Sequence, residues 1–160
     1  MFGLELHPAV VHYPIALGVV GAAVLVLYAM LRRDWLRWWG PILLTLALAG
    51  AGASYFSGQS SSDRAEKMGV PEKEVDRHEQ MAIWAIGVLG LSTFLAWATV
   101  AGRRGVWLAA PLSVAAAALI LWSGHLGGRL VYIYGAGRES PRAVHTPPMP
   151  GQEHEESQGK

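Results

Sequence analysis

Four stretches of this 160-residue chain, 8–31, 38–57, 80–101 and 106–128, are long enough and apolar enough to cross a bilayer, and this limits the folds open to it. A spanning helix needs about 20 mainly apolar residues to cover a hydrocarbon core of about 30 Å. Membrane strands would instead alternate polar and apolar residues. Residues 42–49 and 112–122 do not alternate: each is continuously apolar apart from Thr45 or Ser113. Connections of a few residues within the first and second pairs force antiparallel neighbours. The expected fold is therefore all-α, an integral membrane four-helix up-down bundle occupying 1–137. Residues 138–160 read as a disordered polar tail. This tail contains Pro141, Pro147, Pro148 and Pro150, and 152–160 offers no apolar side chain to bury.

Loop charges predict the orientation. Arg32, Arg33 and Arg37 lie between the first two spans, and Arg103 and Arg104 between the last two, with Asp34 as the only acid. Arginine and lysine collect on the cytoplasmic side of short loops, so both hairpins are expected inside. The second connection, 59–77, mixes basic and acidic residues and carries little bias; 63–68 and 71–77 within it suit short surface helices. Both termini then face outward (periplasmic) in a multi-pass protein of the inner (cytoplasmic) membrane. Trp35, Trp38, Trp39 and Trp107 fall on the inner side, and Tyr13, Tyr55, Tyr132 and Tyr134 on the outer, as interfacial belts do. The first span is expected to stay as a helix, because its positive charges follow the apolar stretch, unlike those of a cleaved signal.

Several classes of function are excluded. A formal charge of +1, with scattered arginines, argues against a nucleic-acid partner. The chain has no cysteine. It therefore has no disulfide, thiolate metal site, iron–sulfur cluster or covalently attached c-type haem.

What stands out against this background is histidine. His7, His12, His78 and His125 all fall at the outer end, on three helices, with none in the cytoplasmic hairpins. Histidine at membrane depth is costly without a partner and marks a functional site by default. Five residues of helix turn the chain by about 500°, so His7 and His12 cannot both chelate one ion from a regular helix. Pro14 predicts either a kink at His12 or a helix that starts near Pro14, preceded by an arm. Imidazole without thiolate suits haem iron, zinc or copper. A b-type haem also needs an apolar slot and small residues against the macrocycle. Gly50, Ser54 and Gly58 form such a smooth stripe on the second helix; Gly18 with Ala22, and Gly124 with Gly128, repeat the spacing. Arg129, one turn after His125, is a candidate propionate partner, as are Arg64 and Arg77. Glu79 is placed either to orient His78 or to favour the first turn of the third helix. His145 and His154 in the tail are assigned no role, and Met68 and Met81 read as packing.

Three motifs carry a resemblance: His7-Pro8-Ala9-Val10-Val11-His12-Tyr13-Pro14-Ile15-Ala16-Leu17, His78-Glu79 followed by Ala82, and Gly124-His125-Leu126-Gly127-Gly128-Arg129-Leu130-Val131-Tyr132. Over most of 6–137 the chain resembles the bacterial membrane-protein family catalogued as domain of unknown function 2231. The resemblance implies a small four-helix membrane domain found among redox-type proteins, without an assigned activity. Tyr13 stands where that pattern has phenylalanine. Tyr134 stands where it has histidine, which removes one possible extra ligand.

The residues together predict a small membrane protein that binds haem b and passes electrons between a membrane donor such as a quinol and an exported acceptor, a cytochrome or larger redox complex. His12 and His125 are the expected axial ligands; His7 and His78 are expected to serve propionates, a second site or proton transfer. One alternative is a zinc or copper site for binding, transport or local structure, with His7, His78 and the nearby acids as its ligands and His12 and His125 as further candidates. Another is a non-catalytic subunit of a larger membrane complex.

Overall fold

A computed structural model describes residues 10–102 and 105–136. His7, the Arg103–Arg104 pair and the tail 138–160 lie outside the described residues. Four helices, and no strand, make up the described residues: α1 (His12–Leu31), α2 (Leu36–Lys67), α3 (Glu72–Ala101) and α4 (Val106–Tyr132). Each packs on its neighbours in sequence, and α4 closes the ring against α1. The start of α1, the α2–α3 connection and the end of α4 therefore share one end of an up-down bundle.

All four helices are long and apolar enough to cross a membrane. Their cores are thin and made largely of small side chains: Ala22, Leu25, Leu44, Ala47, Ala85, Leu89, Ala96, Ala109 and Ala116 are buried, while Leu46, Phe56, Phe94, Leu108 and Leu121 are exposed. Inward small residues and outward large ones are the membrane pattern, since lipid solvates leucine and helices associate by close contact. At Gly40, an added Cβ would lie 2.7 Å from Leu25 Cγ, and at Gly21 2.9 Å from Leu44 Cδ2, so α1 and α2 approach almost backbone to backbone.

Two helices run well past the hydrophobic limits 38–57 and 80–101. α2 continues to Lys67 and α3 begins at Glu72, so the connection expected at 59–77 shrinks to 68–71. At 1.5 Å per residue these helices of 32 and 30 residues exceed a hydrocarbon core of about 30 Å by roughly 15 Å. The added turns carry the charges of 63–77, which water solvates. The junction closes at Gly69 (φ +89), with Val70 N–H donating to Ala65 O at 3.1 Å. Val70 joins Ala65, Val75 and Leu130 in a second apolar cluster that ties this extension to the end of α4.

α1 starts close to Pro14, one of the two outcomes expected, and a turn at Val11 separates it from helical Val10. The helix starts at His12, so Pro14 sits in the first turn, where its missing N–H has no intrahelical acceptor to lose. At the opposite end α1 stops on a non-glycine left-handed residue, Arg32 (φ 53). Its N–H returns to Tyr28 O at 2.9 Å and its Nε donates to Ala29 O at 3.1 Å, which offsets the steric cost of that conformation.

Candidate functional site

Near the end shared by the start of α1 and the α2–α3 connection, the four helices surround a cavity of about 700 Å³, counting its open mouth. Its enclosed part is about 110 Å³, below the range of about 300–1,000 Å³ typical of small-molecule and cofactor sites, so a larger ligand would extend into the mouth. The space exists because small residues face it: Ala51, Ser54, Gly58, Ala82, Ala85, Ser123 and Gly124. Pro14, Ile15, Ile86 and Ile120 make the deeper wall apolar.

One histidine among the described residues lines this cavity, His78. Its Nδ1 lies 3.1 Å from the backbone oxygen of Ser123 on α4. A carbonyl only accepts, so Nδ1 carries the proton, and in the neutral ring Nε2 is the basic nitrogen. The imidazole lies against Gly127, where a Cβ would stand 3.1 Å from His78 Cε1. Gly127 is thus the glycine of the Gly124–Gly128 motif that the histidine requires; Gly124 instead admits Ile15, and Gly128 meets nothing within 4 Å.

Beside His78 the wall is polar. Gln59 Nε2 donates to Tyr55 Oη at 3.2 Å, and Tyr55 Oη donates to Glu79 Oε1 at 3.3 Å. All three side chains line the cavity. Glu79 therefore serves neither of its expected roles: the acids of the first turn of α3 are Glu72 and Glu74, and the partner of His78 Nδ1 is a carbonyl. Tyr55, expected only as part of an interfacial belt, bridges α2 and α3.

The other candidates are dispersed. His12 and His125 are exposed and neither contributes to the lining; His125 packs on Trp122, ring centroids 5.6 Å apart. His7 lies outside the described residues. Of the smooth stripe on α2, Ser54 and Gly58 line the cavity, whereas Gly50 serves packing: a Cβ there would stand 3.3 Å from Pro14 Cδ. Arg129 lies in the last turn of α4, is half-buried, and is not part of the lining; Arg64 and Arg77 are exposed. Among the described residues no group of three His, Asp or Glu side chains is close enough to hold a metal ion.

Small residues in helical register carry the signal that separates His78 from the others. On α4 the buried face runs Ala109, Ser113, Ala116, Ile120, Ser123, and His125 follows Ser123 by about 200° of turn. On α3, His78 comes three residues after buried Val75 and seven before buried Ala85, within about 60° of the inward face.

A protein-family model described as predicted membrane protein, DUF2231, matches residues 3–140. No curated protein and no solved structure matches the chain.

Proposed function

Since the chain belongs to the DUF2231 family of predicted membrane proteins, we propose that it is a small redox protein of the inner membrane, with both termini outside and haem b in the cavity. It would pass electrons from a membrane quinol to an exported acceptor. In this reading His78, rather than the pair His12 and His125, would hold the haem. The observation that supports it is the contact of His78 Nδ1 with Ser123 O at 3.1 Å. Metal-bound histidines characteristically donate their second ring nitrogen to a carbonyl or carboxylate in this way, which fixes the tautomer and orients the ring.

The lining supports the same ligand. Ala51, Ala82, Ala85 and Ile120 offer an apolar wall. The hydroxyl protons of Tyr55 and Ser62 are held by Glu79 and Gly58 O, so the second Nε2 proton of Gln59 is left to donate toward a ligand's polar edge. Bound haem supplies one-electron chemistry. The chain's part would be to orient the His78 ring and exclude water from the apolar wall. His7, a few residues upstream of cavity-lining Val11, would be the candidate for a second ligand.

The Gln59–Tyr55–Glu79 row favours a second reading, in which the quinol head itself enters the cavity and gives a proton to Glu79. Optical spectra of the purified protein, oxidised and reduced, separate the two. A reduced α-band that His78→Ala removes and that His12→Ala and His125→Ala leave in place is the expected result. A colourless protein from cells supplied with haem refutes the haem reading and leaves the quinol to be tested by binding.

A further inference from the structure

Among the described residues, Glu79 is the single acidic side chain in the cavity wall, and no lysine or arginine lines it. Arg64, Arg77 and Arg129 all stand outside the lining. The partner of the Glu79 carboxylate is the neutral Tyr55 hydroxyl at 3.3 Å, with no basic side chain of the described residues in ion-pair contact. The wall is therefore negative and uncompensated.

Its hydrogen-bond donors are also largely spent. Tyr55 gives its proton to Glu79, and His78 Nδ1 gives its proton to Ser123 O. Ser54 and Ser62 give theirs to Gly50 O and Gly58 O, one turn back on α2. One amide proton of Gln59 and the Ser123 hydroxyl remain. What the wall offers a ligand is mainly lone pairs, on the Glu79 carboxylate, Tyr55 Oη and the amide oxygen of Gln59. Glu79 immediately precedes the apolar stretch 80–101, and Ile15, Ala82, Ile86 and Ile120 make the wall beyond it apolar. A carboxylate at the rim of a low-dielectric pocket attracts a cation, and a cation with an apolar body also covers the isoleucines.

We propose that the cavity binds a lipophilic primary ammonium. Its three N–H donors face Glu79, Tyr55 Oη and the Gln59 amide oxygen, and its alkyl part lies on the apolar wall. The enclosed volume of about 110 Å³ restricts that part to a short chain. Such binding depends on the charge of the wall and not on haem or quinol as the native ligand.

Hexylammonium titrated into the full chain in a nonionic detergent, read by calorimetry against protein-free micelles, tests the proposal beside hexanol and hexanoate, which share its apolar chain. Hexylammonium is expected to bind about tenfold more tightly than either. Glu79→Gln keeps the shape and still accepts from Tyr55, yet should weaken hexylammonium about tenfold, the loss of a hydrogen bond to a charged partner. It should leave hexanol binding unchanged. Glu74→Gln, on the same helix but outside the lining, should bind as the unmodified protein does. Circular dichroism establishes that each variant is folded. Unchanged hexylammonium binding by folded Glu79→Gln overturns the proposal, as does hexylammonium binding no tighter than hexanol or hexanoate. The optical spectrum of the same preparation decides the haem reading separately. A colourless protein that binds the amine keeps this site and loses the haem; a haem protein that binds no amine does the reverse.

Discussion

Gly127 and Gly128 are adjacent on one helix, yet replacing each with alanine should have different consequences. In a helix Gly→Ala stabilises by about 0.5–1 kcal/mol through backbone entropy. At Gly128 nothing lies within 4 Å of the new Cβ, so Gly128→Ala should realise that gain in full. At Gly127 the methyl would stand 3.1 Å from His78 Cε1 and 3.6 Å from both ring nitrogens. The ring must retreat by a few tenths of an ångström. The Nδ1–Ser123 O separation is already 3.1 Å, so the retreat strains or breaks a bond worth about 0.5–1.5 kcal/mol. Gly127→Ala should therefore come out about 0.5–1.5 kcal/mol below Gly128→Ala, the worth of that bond, since the helix gain is common to both. Unfolding in mixed micelles, titrated with a denaturing detergent and followed by circular dichroism, measures the difference directly. If the two alanines stabilise equally, the His78 ring does not lie where the Ser123 contact puts it, and its assignment as the oriented imidazole fails.

Gly40→Ala should cost about 1–2 kcal/mol, because its Cβ would stand 2.7 Å from Cγ of a fully buried Leu25 and overpacking outweighs the helix gain. Gly52→Ala on the same helix, with nothing within 4 Å, should be neutral or stabilising in the same unfolding assay. Tyr55→Phe removes the hydroxyl that joins Gln59 to Glu79 and should cost about 0.5–1.5 kcal/mol. Unchanged stability in that variant would show that the row does not couple α2 to α3.

The fold is legible in the sequence because lipid imposes one requirement, helices long enough to cross it, and the four apolar stretches meet it. The real ends of α2 and α3 are not legible from the same windows. Hydropathy falls at Ser57 and Gln80, while the backbone continues helical through Lys67 and from Glu72. A local signal for that continuation existed in Ala65, Val70 and Val75, which bury themselves against Leu130 outside the apolar windows. Pro14 was readable in two ways because a proline's effect depends on its distance from the helix start, and nothing but the start at His12 decides it.

Histidines at one end of a bundle have two physical causes, and counting them cannot separate the two. An imidazole is an amphipathic ring, so at the headgroup level it settles facing outward beside another aromatic, as His125 does on Trp122. A ring facing inward needs a different justification: an acceptor for its proton and a smooth surface to lie on. His78 has both, in Ser123 O and Gly127, which belong to the neighbouring helix α4. Sequence alone records the end at which each ring sits. Its phase relative to the stripe of alanine, serine and glycine records the face. By phase, His12 falls about 200° from Pro14 and His125 about 200° from Ser123, whereas His78 stays near Val75 and Ala85. In a four-helix membrane protein with thin walls, that phase, more than depth or number, decides which histidine can meet a ligand.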